Sequence, residues 1–206
     1  MTRANIVDGW RIELTIREMV TQSLSRSEIA RVVAAALGAA GAAPAASLSV
    51  ILTDDEELAG LNQAHLGHEG PTDVLSFPLL SPDSFPDHQG RAPARALASG
   101  TSSARARGTT SRAAATTQAP GRAFALPPGV RLPLGDIVVS VERAAAQAAD
   151  GRGGQTGDVT WSTEHELRLL LTHGTLHICG WDHADPVEEA AMRALEQELL
   201  GFLPGR

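Results

Sequence analysis

Residues 173–183 read HGTLHICGWDH and bring three histidines close together along the chain. The apolar run before them predicts a helix, on which His173 and His177, four residues apart, project from one face. Gly180 suits the left-handed residue that ends a helix, so the chain can turn and bring His183 back towards the other two. We predict that these three imidazoles bind one metal ion.

The spacing of the three histidines is typical of an open zinc site. Three neutral ligands leave a fourth position for water or substrate, and zinc lowers the pKa of bound water to about 7. Zinc endopeptidases share this spacing but carry a glutamate, their general base, directly after the first histidine. Gly174 stands at that position here, which disfavours the peptidase mechanism. No side chain stands out as a general base, and Cys179, off the ligand face, is interpreted as a small buried residue.

The histidine segment resembles the signature of the YbeY family, whose members are bacterial endoribonucleases and ribosomal-RNA maturation factors. Two further segments agree with that family in order and spacing: GPTDVLSFP at residues 70–78, preceded by Leu61-Asn62, and LGDIVVS at residues 134–140. The resemblance covers roughly residues 11–80 and 132–200. Many members carry a Tyr-Arg-Gly run before the second segment, where this chain reads His65-Leu66-Gly67.

The resemblance implies a fold, a cofactor and a role. His173, His177 and His183 would bind one Zn²⁺ ion, and the protein would be a zinc-dependent, single-strand-specific endoribonuclease. Its role would be maturation of the 3′ end of 16S ribosomal RNA and ribosome quality control. The implied partners are ribosomal RNA and the ribosome or its small subunit, and no DNA. Leu66 removes a positive charge that many relatives have near the scissile phosphate.

Two other function classes stay open at the level of sequence. One is a zinc hydrolase of peptide or small-molecule bonds. The other is a non-catalytic ribosome-assembly factor whose zinc is structural. Structural zinc sites usually have four protein ligands, so three histidines favour catalysis.

Length and composition predict one cytoplasmic domain, and the order of its predicted strands and helices makes it an α/β domain. The 206 residues suffice for one domain with a substantial core. A single cysteine excludes an internal disulfide, and the N-terminus lacks the pattern of a secretory signal. The longest weakly polar run, residues 32–46, is rich in alanine and interrupted by glycine and proline, so no membrane segment is expected. The oligomeric state is left open.

Alternating and helical patterns predict helices packed on a small mixed sheet. Strands are expected at residues 11–16, 47–52, 72–77 and 134–141, with Pro78 favouring an edge position for the third. That edge strand could guide an extended substrate. Asp136 could orient a metal-binding histidine or cap a turn. Predicted helix caps are Ser27, Thr53 or Asp54, Asp185, and a Thr163–Glu166 capping box; the last helix would bury Val187, Ala191, Leu195 and Leu199.

Residues 81–131 differ from the rest and are predicted to be a disordered, low-complexity insertion in the single domain of residues 1–206. Small residues, proline and arginine dominate, and no period persists. The net charge is +5 within the segment and −12 outside it, although the whole chain carries −7. The insertion is either an idle expansion or a basic arm that gathers RNA.

Overall fold

The structure, a computed structural model, describes residues 2–21, 23–91, 130–151 and 161–201. It contains a five-stranded mixed sheet of order β1-β2-β3-β5-β4. The strands are β1 (Thr2–Val7), β2 (Trp10–Ile16), β3 (Ala46–Thr53), β4 (Val74–Pro78) and β5 (Leu132–Ser140). Strands β2, β3 and β5 run parallel, whereas β1 and β4 pair antiparallel at the two edges. The predicted mixed sheet and the edge position of β4 are confirmed.

The described residues form five α-helices: α1 (Arg26–Ala39), α2 (Asp55–Leu66), α3 (Val141–Asp150), α4 (Thr163–Ile178) and α5 (Pro186–Leu199). Helices α1 and α4 cover one face and enclose the main core, to which Ile12, Val50 and Ile137 contribute buried side chains. Helix α2 covers the other face over a smaller cluster of Leu58, Leu75 and Val138. The predicted α/β fold is thus confirmed, and among the described residues no helix is long and apolar enough to span a bilayer.

Helix α4 lies close to the sheet at Gly174, where there is no room for a larger side chain. A Cβ added there would come within 2.9 Å of Ile137 Cγ2 and 3.1 Å of Val74 Cγ2. The Ser76 hydroxyl donates a hydrogen bond of 3.0 Å to the Gly174 carbonyl. These contacts seat the histidine helix directly over β4 and β5.

Two predicted helix caps are displaced by one or two residues. The cap of α1 is Ser25, which forms a capping box with Glu28, rather than Ser27. The cap of α4 is Ser162, which accepts from the His165 backbone, rather than Thr163. Each stretch offers two hydroxyl side chains within two residues of each other, and only the one whose backbone is extended where the helix begins can cap it.

The predicted buried stripe of α5 is wrong by one residue. Val187 is 54% exposed, and the residues buried along the helix are Glu188, Met192 and Glu196. Ala191 and Leu195 are only partly buried at the edge of the core. The inward face of α5 therefore presents two carboxylates. Glu188 is paired with a ring nitrogen of His88, and Glu196 with a ring nitrogen of His173.

The predicted insertion begins too early. Residues 81–91 are described, contain a short 3₁₀ turn at Pro82–Ser84 and bury Phe85 at 8% exposure in the main core. Arg131, at the other end, donates a hydrogen bond to the Gly9 carbonyl. The prediction of disorder for residues 92–129 falls outside the described residues.

Candidate metal centre

The three predicted histidines converge. One ligand atom from each of His173, His177 and His183 lies within 4.8 Å of the others. His173 and His177 stand one turn apart on α4, and their Nε2 atoms are 3.0 Å from each other. Gly180, at φ +84°, turns the chain after α4 and returns His183, whose ring centroid lies 5.1 Å from that of His177. The turn expected at this glycine is confirmed.

Hydrogen bonds at the far side of two rings set their tautomers. His177 Nδ1 donates to the Trp181 carbonyl at 2.8 Å, and a carbonyl can only accept. His173 Nδ1 lies 2.7 Å from Oε1 of Glu196, where an ionised carboxylate likewise only accepts. In the neutral rings both Nε2 atoms therefore carry lone pairs rather than protons, and they face each other.

This donor set fits a divalent cation such as zinc. Two lone pairs 3.0 Å apart form no hydrogen bond and repel, unless a cation lies between them. Tetrahedral zinc with bonds of 2.0–2.1 Å holds ligand nitrogens about 3.3 Å apart. Burial, together with the neighbouring His173 and His183, lowers the pKa of His177 to about 4. That ring is consequently neutral at pH 7, as a metal ligand must be.

Cys179 does not join the donor set. Its side chain is 1% exposed in the core, and burial raises the pKa of the thiol to about 12. It caps the end of α4 through its backbone N–H. The interpretation as a small buried residue is confirmed.

Glu196 is the site residue that sequence reasoning missed. It projects from α5 onto His173, and its side chain is only 10% exposed. The available signal was the spacing of Glu188, Met192 and Glu196 at helical intervals on one face of the last helix. The apolar residues one position earlier gave a competing stripe, and hydrophobicity favoured that one.

The orienting role considered for Asp136 is wrong. Ile137 of β5 faces α4 and lies below Gly174. Neighbouring strand residues alternate between faces, so Asp136 points to the opposite face together with Val138, which packs in the α2 cluster. The carboxylate beside the histidines comes from α5 instead.

An open cleft runs between the histidines and the edge strand β4. Its lining combines the three histidines with most of β4, its preceding loop and the turn after α4, and includes Leu66, Asp73, Ser76, Pro82 and Trp181. A second hollow, on the α5 side of His173 and His183, is lined by Asp73, Leu169, Met192, Arg193 and Glu196 among others. Leu169 lies on the same side of α4 as His173.

Comparison with known proteins identifies the family. The family model described as Endoribonuclease YbeY matches residues 12–203. The chain belongs to the YbeY endoribonuclease family. A relative named endoribonuclease YbeY in Symbiobacterium thermophilum is 35% identical over 167 residues, which cover 81% of this chain and 78% of the relative. One of the same name in Mycolicibacterium gilvum is 35% identical over 179 residues, covering 86% and 75%.

A solution structure of a Thermotoga maritima protein matches with a TM-score of 0.46 and 18% identity, and covers 91% of this chain and 89% of its own. The assignment to the YbeY family depends on the sequence matches.

Leu66, noted in the sequence between His65 and Gly67, lies at the cleft. Leu66 ends α2, and Gly67 follows in the left-handed conformation at φ +69°. The Leu66 side chain is 55% exposed and lines the cleft shared with the three histidines. An uncharged side chain thus lines this part of the cleft.

Proposed function

We propose that this protein is a zinc-dependent endoribonuclease that cuts single-stranded RNA, with His173, His177 and His183 as the ligands of one Zn²⁺ ion. The observation that carries the proposal is the convergence of three ring nitrogens beside an open cleft, two of them Nε2 atoms that carry the lone pair in the neutral ring because Nδ1 is the hydrogen-bond donor. Membership of an endoribonuclease family supports RNA as the substrate.

The side chains around the site have separate tasks. Bound zinc supplies a Lewis acid for a phosphoryl oxygen and lowers the pKa of water at neutral pH. Glu196 and the Trp181 carbonyl orient the rings of His173 and His177, because each accepts the hydrogen bond of the ring's Nδ1. Burial keeps His177 neutral and so available as a ligand.

The cleft suits an extended single strand. It follows β4, an edge strand whose only ladder partner among the described strands is β5, so its outer backbone groups are free to bind a substrate. Leu66, Pro78 and Pro82 add apolar surface on which unstacked bases can lie. A duplex would bury its base faces in its own stack and could not use this surface.

Phosphate binding at the site has little help from side-chain charge. Leu66 contributes none, and among described residues that line the cleft or the hollow beside the histidines, Arg193 is the one arginine. Arg193 is paired with Glu189 at the surface, and Asp73 and Glu196 line the same hollow. We therefore expect slow cleavage that depends strongly on the metal.

The cellular role proposed is maturation of the 3′ end of 16S ribosomal RNA and ribosome quality control in the cytoplasm, with the small subunit as partner. It is supported by the family alone. Complementation tests it: a strain depleted of this protein should accumulate 16S RNA with an unprocessed 3′ end, and wild-type protein should correct the defect whereas His177→Ala should not. Correction by His177→Ala would remove the link between the site and the role.

Metal content tests the ligand set itself. Purified protein should hold about one zinc per chain, and His173→Ala, His177→Ala and His183→Ala should each lose most of it. His165→Ala is the matched control, since His165 lies near the start of the same helix and contacts Ser162 and Trp161 rather than the cleft. Full zinc content in all three variants would refute the ligand assignment.

Neither alternative function is favoured by an observation. A zinc peptidase would carry its general base directly after His173, but that position in the described chain is Gly174, which packs on the sheet. A closed structural site would need a fourth protein ligand, whereas the described cluster contains three histidines and opens to the cleft.

A further inference from the structure

Residues 82–91, here called the strap, lie across the turn that carries His183. At one end Pro82 packs on Gly180, where an added Cβ would lie 2.8 Å from Pro82 Cα. Phe85 anchors the strap in the main core. Arg91, at the other end, pairs with Asp83 at 2.8 Å and so closes the strap on itself.

His88 connects the strap to the turn through its ring. Its ring stacks on Trp181 with the centroids 3.9 Å apart and the planes 8° from parallel. Its Nε2 lies 2.7 Å from Oε1 of Glu188, and the same oxygen accepts from the Asp182 backbone at 2.9 Å. The side chains of His88 and Glu188 are only 8% and 9% exposed. His88 thus contacts the aromatic ring and the carboxylate that together fix residues 181 and 182.

The strap fits tightly against the start of α5. Gly90 has φ +87°, and a Cβ there would collide with the backbone of Glu188. His88 Nδ1 is buried without a hydrogen-bond partner in the described part of the chain. Stacking and a single hydrogen bond therefore define the position of the ring.

We propose that His88 is a positioning residue for the metal site. Through Trp181 and Glu188 it fixes the turn, so that the exposed ring of His183 meets those of His173 and His177. The same turn supplies the Trp181 carbonyl that accepts from His177 Nδ1 at 2.8 Å. The inference rests on the proposed function, because it requires that the three histidines bind a metal ion.

The test measures metal binding rather than cleavage. Zinc affinity is determined by competition with a chromophoric chelator, and the geometry of the site is followed by the absorption spectrum of the cobalt-substituted protein. His88→Ala should weaken zinc binding about 10-fold, the lower end of the 10- to 100-fold range for groups bonded directly to a ligand, because His88 acts through Trp181 and Glu188, and it should change the cobalt spectrum. His88→Phe keeps the stack on Trp181 but loses the bond to Glu188, so its affinity should fall between those of wild type and His88→Ala.

Two controls separate positioning from a general loss of stability. Gln89→Ala changes an exposed neighbour in the strap and should bind zinc like wild type. Val33→Ala opens the core under α1 away from the turn; it should lower the melting temperature and leave the cobalt spectrum unchanged. If His88→Ala fails to fold, Gly90→Ala takes its place and is compared with His88→Phe. The methyl group added at Gly90 forces the strap away from Glu188.

Each outcome decides the inference. Wild-type zinc affinity and an unchanged cobalt spectrum in His88→Ala would overturn it. The inference would also be overturned if Val33→Ala, at the same drop in melting temperature as His88→Ala, lost as much zinc affinity. A wild-type protein that binds no metal would instead refute the proposed function, which distinguishes the two failures.

Discussion

Removal of the Glu196 carboxylate should weaken metal binding without unfolding the protein. The carboxylate accepts from His173 Nδ1 at 2.7 Å, and its side chain is 10% exposed, so water shields the pair little. Loss of such a partner typically costs a factor of 10–100 in metal affinity, or about 1.4–2.7 kcal/mol. We expect a loss in this range for Glu196→Ala. Glu196→Gln keeps an acceptor oxygen without the charge and should lose less, since a neutral hydrogen bond is about half as strong.

The assay is zinc competition against a chelator of known affinity, at pH 7.5 and fixed ionic strength. Glu198→Ala is the matched control, because Glu198 lies on the same helix with its side chain in solvent. It should bind zinc as wild type does. Equal zinc affinity in wild type and Glu196→Ala would refute the claim that this carboxylate supports the His173 ligand.

The remaining predictions concern stability, reactivity and RNA binding. In urea unfolding, Gly174→Ala should lower the free energy of unfolding by about 1 kcal/mol, because overpacking costs about 1–3 kcal/mol and exceeds the helix-propensity gain of about 1 kcal/mol. Gly60→Ala, with open space around the added methyl group, should raise the free energy of unfolding by about 1 kcal/mol. Stabilisation by both substitutions would contradict the close contact at Gly174. Cys179, with a thiol pKa of about 12, should react with a thiol reagent at pH 8 only after denaturation, and rapid native labelling would contradict its burial. Leu66→Arg should tighten binding of single-stranded RNA and steepen its salt dependence by about 0.7 in the log–log slope. Ile6→Arg, on the opposite edge strand, should change the salt dependence of RNA binding little. Equal slopes for Leu66→Arg and Ile6→Arg would show that the RNA does not bind in the cleft beside Leu66.

The sequence predicted best what is encoded locally. The spacing of His173 and His177 defines one helix face, and Gly180 marks the turn that returns His183, so the cluster follows from short-range geometry. Pro78 indicated an edge strand because it cannot donate to a ladder, and β4 is indeed at the edge. Strand β1 was missed although a signal exists: Asp8-Gly9 is a favoured two-residue hairpin pair, and it joins β1 to β2 with φ of 49° and 94°.

The features that were mispredicted depend on partners distant in sequence. Glu188 and Glu196 are buried because His88, the Asp182 backbone and His173 supply their hydrogen bonds, and no local pattern contains those partners. Likewise, the composition of residues 81–91 suggests a disordered loop, yet Phe85 finds a place in the core. Burial of polar groups is a property of the assembled fold.

The most direct test of the central claim is cleavage of a single-stranded ribosomal-RNA fragment by the purified protein, with and without a chelator. His177→Ala is the variant of the metal site, and His165→Ala is its matched control. Casein is the substrate that tests for peptidase activity. We predict slow cuts that disappear with the chelator, return when zinc is restored, are absent in His177→Ala and persist in His165→Ala. Intact RNA with the zinc-loaded wild type, or equal cleavage by wild type and His177→Ala, would contradict the proposed nuclease, and cleavage of casein would favour a peptidase.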